Sequence, residues 1–201
     1  MSVLTRSFYS RNPEIVAREL LGKRLVRELA GQRLSGMIIE TEAYRGEKDS
    51  ASHAYHGKTP RNAVMFGPAG FAYIYFIYGK HYMLNLVTGQ EGEPSAVLVR
   101  ALFPLEGLSL MKKLRGTTAK NLTPGPATIC QAMGIDRGLN GWDVTLGQQL
   151  WCEEYLHIDE EAIQKGPRIG IPYARPNDRA ANLRFWIESD LIFKDGHGKL
   201  R

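Results

Sequence analysis

Two carboxylates one residue apart, Glu40 and Glu42, stand at the end of an apolar run in Glu40-Thr41-Glu42-Ala43-Tyr44-Arg45-Gly46. Extended chain sends alternate side chains to one side, so Ile38, Glu40, Glu42 and Tyr44 share a face while Met37 and Ile39 take the other. Acids set in such a strand are partly stripped of water, which disfavours the ionised form unless partners are supplied. The pair is therefore either a hydrogen-bonded structural feature or a reactive site. Arg100 closes a second apolar run, Ser95-Ala96-Val97-Leu98-Val99-Arg100. Its fixed guanidinium fork suits a carboxylate or a phosphate.

A second group of candidates lies in Phe71-Ala72-Tyr73-Ile74-Tyr75-Phe76-Ile77-Tyr78-Gly79-Lys80-His81-Tyr82-Met83-Leu84-Asn85. Two β-prone runs around a Gly-X pair predict a hairpin with a type II′ turn, Gly79 in its first central position. Tyr73 and Tyr75 then share one face, and Tyr78, Lys80 and His81 sit at the tip. An aromatic beside basic groups on a protruding hairpin is what a wedge in a nucleic-acid groove needs; an aromatic-rich core hairpin with a solvated lysine is the plainer reading. Residues 45–70 are rich in turn formers and carry His53, Tyr55, His56, Lys58 and Arg61. So long an irregular stretch in a compact chain is usually functional. His53 and His56 are three apart, but no cysteine or well-spaced acid completes a tetrahedral metal site.

The elements that must position these groups follow from pattern. Asn12-Pro13 opens a helix over residues 13–21, capped by the amide and closed by Gly22. Residues 24–27 and 33–44 form a strand pair around Ala30-Gly31 and deliver Glu42. Residues 95–102 form a buried strand, 104–114 a helix, and a Gly-Pro turn at 124–126 leads into a short helix ending at Gly134. Short strands are expected at 149–158, 167–171 and 182–187, with Arg168 and Arg175 as phosphate contacts.

With 201 residues, 43% of them hydrophobic and 23% charged, the chain has the composition of one soluble globular domain, assigned to residues 1–201. It has no run apolar enough to span a bilayer, and Met1-Ser2-Val3-Leu4-Thr5-Arg6 has no secretory signal core, so no membrane association or export is expected. Cys130 and Cys152 are too few and too isolated for a disulfide framework or a zinc cluster, which fits a reducing compartment. A net charge of +5 and a pI near 9.2 agree with a polyanionic partner without requiring one.

Taken together, Glu40-Thr41-Glu42-Ala43-Tyr44, His53, Thr59-Pro60-Arg61-Asn62, Met65-Phe66, the Tyr73-to-Gly79 hairpin, Asn85, Leu98-Val99-Arg100-Ala101-Leu102 and Gly125-Pro126 to Cys130-Gln131 resemble the alkyladenine (3-methyladenine) DNA glycosylase family. The resemblance runs over almost the whole chain. It implies an α+β fold: a single mixed domain with a curved antiparallel β-sheet, surrounding helices and a protruding, DNA-inserting β-hairpin. It implies a monofunctional hydrolase, without lyase activity, that flips purines such as 3-methyladenine and hypoxanthine out of duplex DNA and cuts the N-glycosidic bond. No metal or cofactor is implied. Glu42 stands where the family has its water-activating base and Arg100 where an arginine helps place that water. Tyr44, His53 and Tyr75 stand where the flipped base is sandwiched and hydrogen-bonded, Asn85 where a guanine amino group is disfavoured, and Tyr78 where a side chain fills the vacated stack. Lys80 and Arg61 are expected DNA contacts. The tip Tyr78-Gly79-Lys80-His81 is more basic than the apolar neighbours usual there, which shifts weight from stacking to phosphate contact.

Double-stranded DNA bearing damaged purines is thus the expected partner of a monomer. The expected location is the bacterial cytoplasm at the nucleoid, or the nucleus for a eukaryotic source. Two other readings stay open: a non-catalytic nucleic-acid-binding module using the same basic hairpin, and a sugar hydrolase using Glu40 and Glu42, whose carboxyl groups would need a separation of about 5–9 Å.

Overall fold

The computed structural model describes residues 2–188. Helix α1 spans Arg6–Tyr9 and α2 spans Pro13–Glu19; the Asn12 side chain accepts the Glu14 N–H at 2.8 Å, so the predicted cap forms. Strands β1 (Arg24–Leu29), β2 (Gln32–Tyr44), β3 (Ala72–Ile77), β4 (His81–Thr88) and β5 (Ser95–Glu106) follow. Helices α3 (Leu108–Arg115) and α4 (Pro126–Ala132) come next. The chain continues with β6 (Leu150–Glu153), β7 (Gln164–Gly166), α5 (Pro176–Ala180) and β8 (Arg184–Trp186).

All pairings are antiparallel, in an open sheet ordered β3-β4-β5-β2-β1-β6, with β8 joining β2 and β7 joining β8. This is the expected α+β class. The long β2 organises it: β5 runs along one edge, while the other edge pairs first with β1 and then, at Glu40 to Glu42, with β8. Alternation separates two cores. Ala72, Ile74, Leu84, Leu86, Val97 and Val99 pack in the main cluster with residues of α2 and α4. Tyr73, Val87 and Ala96 face the other way, where Ala54 and Met65 of the 45–70 segment cover them.

Register shifts in the β2/β5 pair, at Ile38/Glu40 and Glu40/Thr41, interrupt the alternation. Ile38 accordingly joins Met37 in the main core instead of sharing the face of Glu42. Such bulges bend a strand and re-aim its side chains. Strand β5 also runs past the expected helix start at Pro104 to Glu106. Pro104 pairs opposite Gly36 at a third register shift, where a missing ladder N–H is tolerated. A Cβ on Gly36 would lie 3.0 Å from Leu102 Cβ, so a larger residue there would have to push its neighbours aside. The helix begins instead at Leu108. Residues 167–171, expected as a strand, form a loop between β7 and α5.

The hairpin turn differs as well. Lys80 N–H donates to Ile77 C=O at 3.3 Å, and the two central residues are Tyr78 (φ 54°) and Gly79 (φ 67°). Positive φ at both places is the type I′ pattern, not II′. Tyr78 is therefore held left-handed, a conformation that costs a non-glycine residue about 1–2 kcal/mol.

Candidate active site

Strand β2 carries Glu42 to a place where it is 0% exposed. Its carboxylate is nonetheless well supplied. Oε1 accepts the Ile169 N–H at 2.7 Å and lies 3.1 Å from Arg100 Nη1; Oε2 accepts the Tyr44 hydroxyl at 2.8 Å. Burial pushes the Glu42 carboxyl above its ordinary range, while Arg100, the Ile169 N–H, the Tyr44 hydroxyl and Arg168 pull it back down. A carboxylate kept more basic than a free one, with hydrogen-bond partners that support its charged form, suits proton abstraction from water. Arg100 reaches both acids, with Nε donating to Glu40 Oε1 at 3.0 Å.

Tyr44 also lines a cleft shared with Ala51, Ser52, His53, Met65, Tyr73, Tyr75, Asn85, Ala96 and Tyr173. Four of the predicted residues, Tyr44, His53, Tyr75 and Asn85, thus converge on one concavity, with Glu42 and Arg100 just behind Tyr44. His53 Nδ1 and the Tyr73 hydroxyl are 2.8 Å apart, and the His53 and Tyr75 rings meet edge to face with centroids 4.5 Å apart. Burial, with the nearby Arg61 charge, lowers the His53 pKa to about 4, so the imidazole is neutral near pH 7. Asn62 holds this irregular segment in shape. Its Nδ2 donates to the carbonyls of His53 (2.8 Å) and Gly57 (3.0 Å), and its Oδ1 accepts the Thr59 N–H (2.6 Å). Asn85 Nδ2 donates to Tyr73 C=O at 3.3 Å, which fixes the amide where it lines the cleft.

A sequence model of the Methylpurine-DNA glycosylase (MPG) family matches residues 7–191. The chain belongs to that family. Similar curated proteins, each named as a candidate 3-methyladenine DNA glycosylase, come from several sources. That of Desulfitobacterium hafniense is 46% identical over 94% of this chain and 96% of its own length. That of Carboxydothermus hydrogenoformans is 50% identical over 84% and 88%, and that of Methanocella arvoryzae 49% over 87% and 87%.

For a methylpurine-DNA glycosylase, the exposed side of the cleft is where the substrate must arrive. Tyr78 is 80% exposed at the hairpin tip, with Lys80 beside it, and Arg61 lies over the Tyr75 ring at 5.6 Å. Replacing Tyr78 by glycine should leave thermal stability unchanged or slightly higher, because the left-handed backbone is relieved. The same change should weaken capture of a flipped base, and less so for mismatched lesions, which unstack more easily. Equal losses for paired and mismatched lesions in a binding titration would sink the wedge assignment. Lys80→Ala should weaken binding uniformly and reduce the slope of log K against log salt by about 1.

Arg168, expected as a phosphate contact, is buried instead. Its Nη1 and Nη2 bind the two Asp49 oxygens at 2.5 and 2.8 Å, Nη1 also donates to Ala43 C=O at 3.0 Å, and its guanidinium lies 4.7 Å from the Tyr44 ring centre. It is a strut between the 45–52 segment and the loop that carries Ile169. Arg175 is exposed, with its guanidinium over the Tyr55 ring. Three participants escaped sequence reasoning as site residues. Tyr73 had a usable signal, since it shares the face of Tyr75. Tyr173, 66% exposed with its hydroxyl donating to Ala51 C=O at 3.0 Å, and the Ile169 N–H had none.

Proposed function

We propose that this DNA glycosylase flips alkylated or deaminated purines, 3-methyladenine and hypoxanthine among them, from duplex DNA and hydrolyses the bond between the base and deoxyribose. Glu42 acts as the base. The glycosidic C–N bond breaks with its electron pair leaving on the purine, water adds to the oxocarbenium-like sugar carbon, and the water proton passes to Glu42. Arg100 faces the attacking water. Tyr44, His53 and Tyr75 sandwich and hydrogen-bond the extruded base, and aromatic stacking is worth about 1–3 kcal/mol per base. An N3-alkylated adenine already carries positive charge and leaves as a neutral purine. Hypoxanthine needs hydrogen bonds or a proton from the pocket.

The observation that carries this reading is the buried Glu42 carboxylate, ion-paired to Arg100 and joined through the Tyr44 hydroxyl to an aromatic cleft. A non-catalytic binding module has no use for an acid whose burial must be offset by four partners. A single chain supplies every group, so the active form is proposed to be a monomer on double-stranded DNA. Excision of hypoxanthine from an end-labelled duplex, with strand scission only after alkali, tests it. Intact duplex after alkali would refute it. The reaction should persist in excess EDTA and give no borohydride-trapped adduct, because water and not an amine attacks. Loss of activity restored by zinc, or a trapped Lys58 adduct, would contradict this.

Asn85 sets the lesion range in this reading. A guanine-type base carries a 2-amino group that conflicts with a fixed amide lining the cleft, and rejecting undamaged guanine matters because it far outnumbers lesions. Asn85→Ser should raise single-turnover release of 7-methylguanine relative to hypoxanthine by about 10-fold, the scale of one misfitting contact. An unchanged ratio would mean that the amide serves only Tyr73 C=O.

A further inference from the structure

Behind the Glu42–Arg100 pair lies a second pair that the reading above leaves unused. Glu40 Oε1 accepts both Arg100 Nε (3.0 Å) and Arg184 Nη1 (3.2 Å). Arg184 is itself held firmly: its Nε donates to Pro167 C=O at 3.0 Å and its guanidinium lies 4.1 Å from the Trp186 ring centre. The strand ladder sets this in register, with Glu40 opposite Trp186 and Glu42 opposite Arg184. Pro167 belongs to the same loop that donates the Ile169 N–H to Glu42. Charges thus alternate Arg184, Glu40, Arg100, Glu42 across β8, β2 and β5. Neither Glu40 nor Arg184 lines the base cleft.

The fork of an arginine prefers to close on a carboxylate with two parallel N–H bonds. Arg100 does not do so here. Its Nε is taken by Glu40, only Nη1 meets Glu42, and Nη2 has no protein hydrogen bond among the described residues. Released from Glu40, the fork could rotate onto Glu42, satisfy both oxygens and make the carboxylate a weaker base.

We propose that Glu40 and Arg184 are positioning residues of the excision reaction: they hold the Arg100 fork so that it meets Glu42 through one nitrogen instead of closing on both carboxylate oxygens. This rests on Glu42 being the base. The charged and titratable groups facing Glu42 are Arg100 from β5, Tyr44 from β2 and Arg168 from the 167–171 loop, while Tyr75 and Tyr173 also feel its charge. Of these, Arg100 is the one that Glu40 and Arg184 control.

The test is the single-turnover rate against pH for Glu40→Ala, Glu40→Gln and Arg184→Met, with affinity for lesion duplex measured alongside. Glu40→Ala is expected to slow excision by about 10²-fold, the usual cost of misplacing a reacting group by about 1 Å, with affinity unchanged. The acid limb of its profile should move to lower pH, because an arginine freed onto Glu42 favours the ionised carboxylate. Glu40→Gln keeps an acceptor for Arg100 Nε and should recover most of the rate. Arg184→Met should shift the limb in the same direction by less. A wild-type rate and limb in Glu40→Ala would overturn the proposal, as would a slowed rate with an unmoved limb that glutamine fails to rescue. Glu42→Gln, run in parallel, separates the two layers: if it keeps the wild-type rate, the base assignment falls and this inference with it.

Discussion

Glu42→Gln is expected to slow single-turnover excision by at least about 10²–10⁴-fold, the usual share of a general base, while affinity for lesion DNA stays close to wild type. Its melting temperature should stay level or rise. The sign follows from burial: a carboxyl whose pKa is raised in the folded protein is destabilising once ionised, at pH values above its unfolded pKa. An amide keeps the Ile169 contact without the charge. The acid limb of the wild-type profile should report Glu42, with rate falling as pH drops through its raised pKa. His53, with a pKa lowered to about 4, is already neutral well above that value and so is not the group whose protonation sets a limb raised above the ordinary carboxylate range. A glutamine variant with near-wild-type turnover, or one that loses DNA affinity as steeply as rate, would remove Glu42 from the role of base.

Arg168→Ala should be the most destabilising substitution near the site, by about 3–5 kcal/mol, because it leaves the Asp49 carboxylate buried without its partner. Both side chains of the pair are fully buried. Asp49 also accepts the backbone N–H groups of Arg45 and Ala51, so the loss reaches the segment that follows β2. Excision should fall too, since the loop that brings Ile169 to Glu42 loses its strut. Chemical denaturation measures the first effect, and the double variant Arg168→Met with Asp49→Leu should regain most of the stability. A single-variant cost below about 1 kcal/mol, the scale of an exposed pair, would show that the strut is not needed.

Local chemistry was readable from the residues alone. The Asn12 cap, the β1–β2 pair, the tyrosines alternating along β3 and the short helix after Gly125 depend on neighbours in sequence, and all formed. The resemblance gave the family and the residues Glu42, Tyr44, His53, Tyr75, Asn85 and Arg100, and the fold brings these together. What the chain does not reveal locally is long-range register. Pro104 looked like a helix start because proline favours first turns, yet its pairing with Gly36, nearly seventy residues earlier, keeps it in a strand at a register shift. The turn looked like II′ because glycine suits its first central position, but the strands close one residue earlier, with the Lys80 N–H on Ile77 C=O, so Tyr78 and Gly79 become the central pair of a I′ turn. Arg168 looked like a surface cation until Asp49 was found beside it. Tyr173 and the Ile169 N–H carry no pattern at all: a loop reaches the site only through the pairing of β8 with β2, and that pairing is decided by the whole sheet. Sequence therefore determined which groups are present and their local conformation. Tertiary structure alone decided which of them lose water together, and burial in company is what gives Glu42 its basicity and Arg100 its aim.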